Sequence, residues 1–351
     1  MPSPWGHFPL NAKIQSIQSL RAIAAVLVLA SHALLYPLAE QTLAYGRLGW
    51  LGVILFFVVS GFIMVAVTGQ GGFEAGAFLR RRVLRVVPLY WGFTLLAAFL
   101  ALVLPDLFKS TVFDGQQLLL SLAFIPFYNP ASHGLHPLYK LGWTLNYEMF
   151  FYVSFALLAV LRARQRVMVL SVAYLGLSFT GLLLHPESAI PAFYTSYMPL
   201  AFVAGAWLGL AHIEGRLRDM PRSMVVPLIA IALAGVAEGF WLDRGMVEDE
   251  TAFLGFLAFA VAVTALFVGV EAHLPRLHWL ERLGDASYSI YLVHIFAVGA
   301  FAGFVLKLLE PENAFVIAGA VGMAMLGGLA LGWACYAMIE KPLTARLRRF
   351  A

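Results

Sequence analysis

The sequence predicts an all-α integral membrane protein, a bundle of about ten transmembrane helices with a short re-entrant or interfacial segment near residues 118–128. Of its 351 residues, 61% are hydrophobic and 12% are charged, with a mean hydropathy of +0.84, whereas soluble domains carry about 25% charged residues. The apolar residues form stretches of about 17 to 25, the length that a helix needs to cross a hydrocarbon core of about 30 Å. Most of the charged residues lie between these stretches.

Ten such stretches follow one another along the chain, at residues 17–38, 48–68, 83–104, 143–162, 167–184, 192–212, 223–242, 252–270, 286–307 and 314–339. The connection between the third and fourth contains LLLSLAFIPFY, residues 118–128. This run is apolar but too short to cross a bilayer, so we interpret it as re-entrant or interfacial. We expect one membrane domain over residues 1–351 and no fused soluble domain.

Lysine and arginine residues predict the orientation, because loops rich in them stay in the cytoplasm. With the N-terminus inside, seventeen lie in inner segments and five in outer loops. The inner set is Lys13, Arg80, Arg81, Arg82, Arg85, Arg162, Arg164, Arg166, Arg216, Arg218, Arg222, Arg276, Arg282, Lys341, Arg346, Arg348 and Arg349. The outer set is Arg47, Lys109, Lys140, Arg244 and Lys307. Both termini are therefore expected in the cytoplasm. This topology explains the net charge of +4, and we expect no nucleic-acid partner.

The first stretch carries two ionisable residues, Arg21 and His32, on one helix face. Their eleven-residue separation covers about 16 Å and nearly completes whole turns. Ionisable residues inside a membrane are costly, and they are expected in a bundle interior or a wet cavity. In the alternative interpretation, Arg21 extends to the inner interface and His32 makes a buried hydrogen bond. A cleaved signal peptide is less consistent with the sequence, because cleavage would discard both residues.

Two other stretches carry ionisable residues, Glu148 in the fourth and His294 in the ninth. Glu148 and His32 are expected at similar depths below the outer surface, so the carboxylate and the imidazole can form a catalytic pair. Alternatively, Glu148 holds a substrate hydroxyl, or it neutralises Lys140 or Arg47 near the outer interface.

A basic cluster begins the third stretch, in FLRRRVLRVVPLYW at residues 78–91. Arg81, Arg82 and Arg85 have the spacing of one helix face, so their guanidinium groups can converge on a single site. Planar guanidinium groups bind phosphates through paired hydrogen bonds. The alternative is an anchor that only sets the orientation. His133 and His136 lack a third ligand, so we expect no metal site.

Several motifs together resemble the acyltransferase-3 family of bacterial membrane proteins. They are SLRAIAAVLVLASH (19–32), GVILFFVVSGFIM (52–64), FLRRRVLRVVPLYW (78–91), WTLNYEMFFY (143–152), YSIYLVH (288–294) and EKP (340–342). The resemblance implies transfer of an acyl group, usually acetyl, from cytoplasmic acyl-CoA to surface or secreted glycans such as lipopolysaccharide or exopolysaccharide. It implies a bacterial inner-membrane location, with the glycan acceptor on the outer side.

The resemblance and the residues together indicate roles for the candidate site. His32 is expected to act as general base for a sugar hydroxyl, with Glu148 and Arg21 as further catalytic residues. Donor-binding residues are expected to be Arg81, Arg82 and Arg85, with Ser60, Tyr291 and His294 from the matching motifs. The CoA phosphates are expected to bind the arginines, with the pantetheine arm passing Arg21 toward His32.

Two other functions were weighed. A transporter or flippase would also bury Arg, His and Glu residues, but it is typically built from internal repeats with broken helices, and the sequence shows neither. A membrane scaffold or receptor leaves the arginine cluster and His32 unexplained.

The charge distribution predicts that cysteines introduced near Ser132 and Arg349 label from opposite sides. In a variant that lacks Cys335, the chain's single cysteine, an impermeant maleimide should modify the first site in intact cells and the second only after permeabilisation. The reverse pattern would contradict the orientation and place the donor in the wrong compartment.

Overall fold

The computed structural model describes residues 14–35, 42–105, 111–218, 220–241, 250–304 and 313–347. In these ranges the chain forms helices α1 (Gln15–Leu35), α2 (Thr42–Thr68), α3 (Ala75–Val103), α4 (Gly115–Leu122), α5 (Trp143–Leu157), α6 (Ala163–Leu184), α7 (Ala189–Tyr194), α8 (Leu200–Ile213), α9 (Val225–Trp241), α10 (Glu250–Gly269), α11 (His278–Val298), α12 (Ala314–Cys335) and α13 (Lys341–Leu347). Among the loop charges, Lys13, Lys109, Arg244, Lys307, Arg348 and Arg349 lie outside the described residues.

Each of the ten apolar stretches contains a helix, and the structure is helical without strands in the described part of the chain. Seven helical segments are long and apolar enough to cross a membrane: Gln15–Leu35, Ala44–Thr68, Ala75–Val103, Ala163–Leu184, Arg222–Phe240, Glu250–Gly269 and Ala314–Leu347. The chain is therefore a multi-pass membrane protein. Helices α5, α8 and α11 do not meet these criteria; α5 has 15 residues and α8 has 14.

Apolar side chains cover the outer surface of the bundle. On α6, Val172 is 73% exposed and Leu175 is 57% exposed. On α9, Val226 is 73% exposed, and on α12, Leu326 is 70% exposed. A soluble protein of this size does not expose contiguous apolar faces of such extent. These faces are the surface that contacts the lipid bilayer.

Two glycines bring α2 and α8 into close contact. A Cβ atom on Gly61 would lie 1.9 Å from the carbonyl oxygen of Phe202, and one on Gly205 would lie 1.9 Å from that of Val58. Small residues drive such packing in membranes, because lipid is as apolar as the side chains and gives little hydrophobic gain. Phe57 stacks on Phe202 across the same interface, with ring centroids 4.3 Å apart. The α2–α8 contact thus fixes the helix that carries Ser60.

The connection between α3 and α5 packs against the bundle. Tyr90, near the middle of α3, donates a hydrogen bond to the carbonyl of Ser121 at 3.1 Å, and Trp91 donates one to that of Leu122 at 2.9 Å. Ser121 Oγ in turn accepts from the backbone N–H of Leu138 at 2.8 Å. The 118–128 run is therefore the end of α4 and a turn that lie beside the middle of α3.

The α2–α8 contact predicts that Gly205→Ala destabilises the protein, because the added Cβ collides with backbone that cannot move away without separating the helices. Overpacking of this kind costs about 1–3 kcal/mol, so the melting temperature in detergent should fall. The matched control is Gly176→Ala in α6, where a Cβ meets nothing within 4 Å. The control should leave stability unchanged or raise it by up to about 1 kcal/mol. Equal melting temperatures for the two variants would contradict the assignment of a tight interface.

Candidate active site

A cavity of about 780 Å³, part of it open to solvent, lies among α1, α2, α3, α5 and α11. It brings together six residues that the sequence singles out: Arg21, Ser60, Arg82, Arg85, Glu148 and Tyr291. The rest of its lining is largely apolar, with Phe56 and Phe57 among the residues of α2. The cavity thus collects polar groups from five helices at one place inside an apolar bundle.

Three guanidinium groups surround one part of the cavity. Arg21 is 9% exposed and donates to Gln18 Oε1 at 3.1 Å. Arg82 has a buried Nε atom with no hydrogen-bond partner, and it lies over the Phe78 ring at 5.6 Å. Within the described residues none of Arg21, Arg82 and Arg85 forms an ion pair with a carboxylate. Arg82 and Arg85 are half-buried. Cations withdrawn from water without such partners are energetically unfavourable, so an anion bound in this part of the cavity would be stabilised.

Glu148 is the carboxylate that lines the cavity. Its Oε1 atom accepts a hydrogen bond from Ser60 Oγ at 3.3 Å and a second from the hydroxyl of Tyr152, one turn later on α5. Glu148 also interacts electrostatically with Arg21 and Arg82. Its single charge offsets part of the charge of the three arginines.

Tyr291, on α11, also lines the cavity. Its hydroxyl donates to the carbonyl of Leu141 at 2.8 Å and contacts Thr144 Oγ1 at 2.8 Å. The Phe56 ring packs against it with centroids 6.1 Å apart. These contacts fix the start of α5 against α11.

His32 and His294 lie beyond Tyr291, and neither lines the cavity. The Tyr291 and His294 ring centroids are 6.1 Å apart. His294 Nε2 lies 3.3 Å from His32 Nδ1, and the two rings meet edge to face at 4.9 Å. His294 is fully buried, whereas His32 keeps part of its side chain accessible. The polar residues therefore run from the arginines, past Glu148 and Tyr291, to a histidine pair.

The structure does not form the expected pair of Glu148 and His32. Glu148 bonds to Ser60 and Tyr152, and His32 bonds to Val28 and His294. The reason is the depth at which α5 begins. Its first residues lie beside Tyr291, which precedes His294 by three residues on α11. Glu148 lies seven residues past Leu141, about 10 Å farther toward the arginines.

One other sequence interpretation, the role of Arg81, changes with the structure. Arg81 is exposed on α3 and does not line the cavity, whereas Arg82 and Arg85 do. His136 Nδ1 lies 3.1 Å from Ser132 Oγ. Burial, followed by the charge of nearby Lys140, lowers the pKa of His136 to about 4, so this imidazole is neutral at pH 7. The described residues contain no group of three or more His, Cys, Asp or Glu side chains arranged to hold a metal.

Several residues at the site were not assigned a role from the sequence. A π-helical turn, Tyr336–Glu340, follows α12 and buries Glu340, whose Oε2 accepts from Ser289 Oγ at 2.6 Å. Glu340 and Asp285 both interact electrostatically with Arg21. Such π-helical turns occur frequently at functional sites. The sequence feature that could have identified Glu340 is its position, because it is an acidic residue directly after the apolar stretch 314–339.

Comparison with known proteins identifies the family to which the chain belongs. The family model described as an acyltransferase domain matches residues 14–336. The exopolysaccharide production protein ExoZ of Rhizobium meliloti (strain 1021) is 35% identical over 317 residues, which cover 90% of this chain and 96% of ExoZ. The acyltransferase MdmB of Streptomyces mycarofaciens is 24% identical over an alignment of 380 positions, which covers 97% of this chain and 94% of MdmB. No solved structure matches the chain significantly. The chain belongs to the acyltransferase-3 family of membrane proteins.

Proposed function

We propose that this protein transfers an acyl group, acetyl in the simplest case, from cytoplasmic acyl-CoA to a hydroxyl of an exported glycan in a bacterial inner membrane. The observation that carries the proposal is the arginine-lined cavity, whose lining residue Tyr291 lies beside the pair of His294 and the partly accessible His32. The alternative of a transporter or flippase receives no support from the family match.

The arginine end of the cavity fits the phosphates of acyl-CoA. Arg82 and Arg85 are aligned on one face of α3, and the buried Nε of Arg82 lacks a partner. Guanidinium groups bind phosphate oxygens through short, charge-assisted hydrogen bonds. Phosphates would supply the negative charge that Glu148 alone does not supply. The Tyr152 hydroxyl donates a hydrogen bond to Glu148, and this contact orients the carboxylate toward Ser60.

The apolar part of the cavity fits the uncharged pantetheine arm of the donor. Arg21 and His32 are separated by about 16 Å along α1, a distance comparable with the length of that arm. The thioester can therefore reach the histidine end while the polyanionic head stays at the arginines. No phosphate has to enter the apolar core of the bilayer.

His32 is the general base in this mechanism. Its unprotonated ring nitrogen takes the proton of the acceptor hydroxyl while that oxygen attacks the thioester carbonyl carbon. The carbon–sulfur bond breaks as the new ester bond forms. The proton held by His32 passes to the departing thiolate, which leaves as CoA thiol. Every step uses the donor, the acceptor and this imidazole, so no metal or redox partner is required.

The mechanism requires a particular membrane arrangement. We infer about ten crossings, with α5, the α7–α8 segment and α11 crossing in addition to the seven long apolar segments. Helices α5 and α11 line a polar cavity and face protein, so they need not be as apolar as lipid-facing helices. The loop charges support cytoplasmic termini. The packing of Ser121 and Leu122 against the middle of α3 supports a re-entrant or interfacial segment at 118–128.

The acceptor is inferred from a relative. ExoZ is named for exopolysaccharide production, which supports a glycan acceptor for this chain. A glycan supplies hydroxyl groups that are weak nucleophiles at neutral pH, and such groups require a positioned base. The acceptor reaches His32 from the outer side.

The proposal is tested with purified protein in proteoliposomes. Acetyl-CoA and exopolysaccharide oligosaccharides are supplied on opposite sides, and products are analysed by mass spectrometry. We expect release of CoA thiol and a matching gain of one acetyl group per modified oligosaccharide. Thiol release without glycan acetylation, or no turnover with any acyl-CoA, would contradict the function.

The cavity predicts that Arg82→Gln and Arg85→Gln weaken acetyl-CoA binding. Loss of one hydrogen bond to a charged group costs about 1.5–3 kcal/mol, so each dissociation constant should rise at least tenfold, to about 100-fold. Arg81→Gln is the matched control, because Arg81 is exposed outside the cavity; we expect a change of about twofold or less. Equal effects at all three positions, measured by isothermal titration calorimetry, would indicate a diffuse surface charge effect.

The mechanism predicts that His32→Ala reduces acetyl transfer by about 10²- to 10⁴-fold, the usual contribution of a general base. Acetyl-CoA binding should stay near the wild-type value, because the phosphates bind elsewhere. His185→Asn is the control, since His185 is an exposed residue at the end of α6 with a positive φ of 44° that Asn tolerates. Wild-type turnover by a folded His32→Ala protein would exclude the assigned base.

A further inference from the structure

His294 is a buried histidine that takes no part in the cavity. It lies on α11 and is 0% exposed. Its Nδ1 atom lies 3.1 Å from the carbonyl oxygen of Ile290. A carbonyl oxygen only accepts hydrogen bonds, so the neutral imidazole carries its proton on Nδ1. Its Nε2 atom therefore presents a lone pair.

That lone pair faces His32. His294 Nε2 lies 3.3 Å from His32 Nδ1, and the carbonyl oxygen of Val28 lies 2.9 Å from the same His32 atom. Both neighbours are acceptors, so His32 Nδ1 must be the protonated nitrogen and donates to both. The lone pair of the neutral His32 ring then lies on Nε2. Two backbone carbonyls and one imidazole thus determine which nitrogen of His32 is the base.

We propose that His294 is a positioning residue for His32: it holds the His32 ring as the Nδ1–H tautomer, and its Nε2 supports the charge that appears on His32 during the reaction. The chemical part of this inference rests on the function proposed above. When His32 Nε2 takes the acceptor's proton, the ring becomes an imidazolium and its Nδ1–H becomes a stronger donor. The proton on Nδ1 stays on His32, because its transfer would move the single positive charge onto His294, which is fully buried, and burial disfavours the charged form of an imidazole.

A histidine suits this position better than a carboxylate. Apolar side chains surround His294; Leu29 and Ala33 of α1 pack with Val298 and Ala324 nearby. A carboxylate there would be a buried charge whenever His32 is neutral, at considerable cost. The neutral imidazole accepts a hydrogen bond without that cost. It thereby takes the orienting role that an acid has in Ser-His-Asp triads, and Glu148 remains available at the cavity.

The test compares His294→Leu with His294→Gln. Leucine has a similar size and no acceptor, whereas the glutamine amide oxygen can take the place of the Nε2 lone pair. We expect His294→Leu to lower kcat for acetyl transfer by about 10- to 100-fold, the effect of losing one hydrogen bond to a charged group, here the His32 imidazolium. The dissociation constant for acetyl-CoA should be unchanged. His294→Gln should recover most of the lost rate. His273→Leu, on an exposed turn, serves as the control substitution.

A second readout is independent of acyl transfer. Diethyl pyrocarbonate modifies the unprotonated nitrogen of accessible imidazoles, and mass spectrometry reports the rate at His32 in protein without substrates. In His294→Leu this rate should fall about fivefold, the effect of losing one neutral hydrogen bond, and His294→Gln should restore it. A folded His294→Leu protein with wild-type His32 modification would overturn the pairing. If wild-type protein transfers no acyl group but the modification rates follow this pattern, the pairing stands and the proposed function fails.

Discussion

The cost of charge in an apolar medium is the constraint on which the rest of this structure depends. Arg21, Arg82 and Arg85 lie within membrane-crossing helices and have no carboxylate at ion-pair distance in the described residues. Each would be expensive facing lipid. The fold instead turns all three toward one cavity. The same arrangement gathers three positive charges at one place inside the bundle.

The helices that face lipid differ from those that carry the polar groups of the site. Helices α6 and α9 present apolar side chains to lipid and carry little of the site. Helices α5 and α11 carry most of its polar groups, including Glu148, Tyr288 and Tyr291. A helix face that packs against protein can satisfy such groups with neighbouring side chains. Helix α5 falls short of the length of a membrane span because it has only 15 residues.

The site separates two tasks along the bundle. Arginines at one end are suited to hold an anionic head group by charge, and a neutral histidine pair at the other end is suited to move a proton. Placing the imidazoles away from the guanidinium groups matters, because nearby positive charge makes an imidazole harder to protonate. Glu148 and its hydroxyl partners Ser60 and Tyr152 lie between the two ends. A single Arg-Glu-His cluster would not allow this separation.

Much of the fold and part of the site could be predicted from the sequence. Apolar length determines where helices form, because the cost of unsatisfied backbone groups in lipid allows little else; the motif order determines the family. Six predicted residues do line one cavity: Arg21, Arg82, Arg85, Ser60, Glu148 and Tyr291.

The tertiary structure decided which residues pair. Counting residues from the surface placed Glu148 level with His32, but the folded 111–142 connection starts α5 beside Tyr291, deeper in the bundle. The tertiary structure also brings His294 into contact with His32. It buries Glu340 in a π-helical turn. Such contacts depend on the relative depth and rotation of separate helices, and those are set by packing between surfaces that lie far apart in the chain.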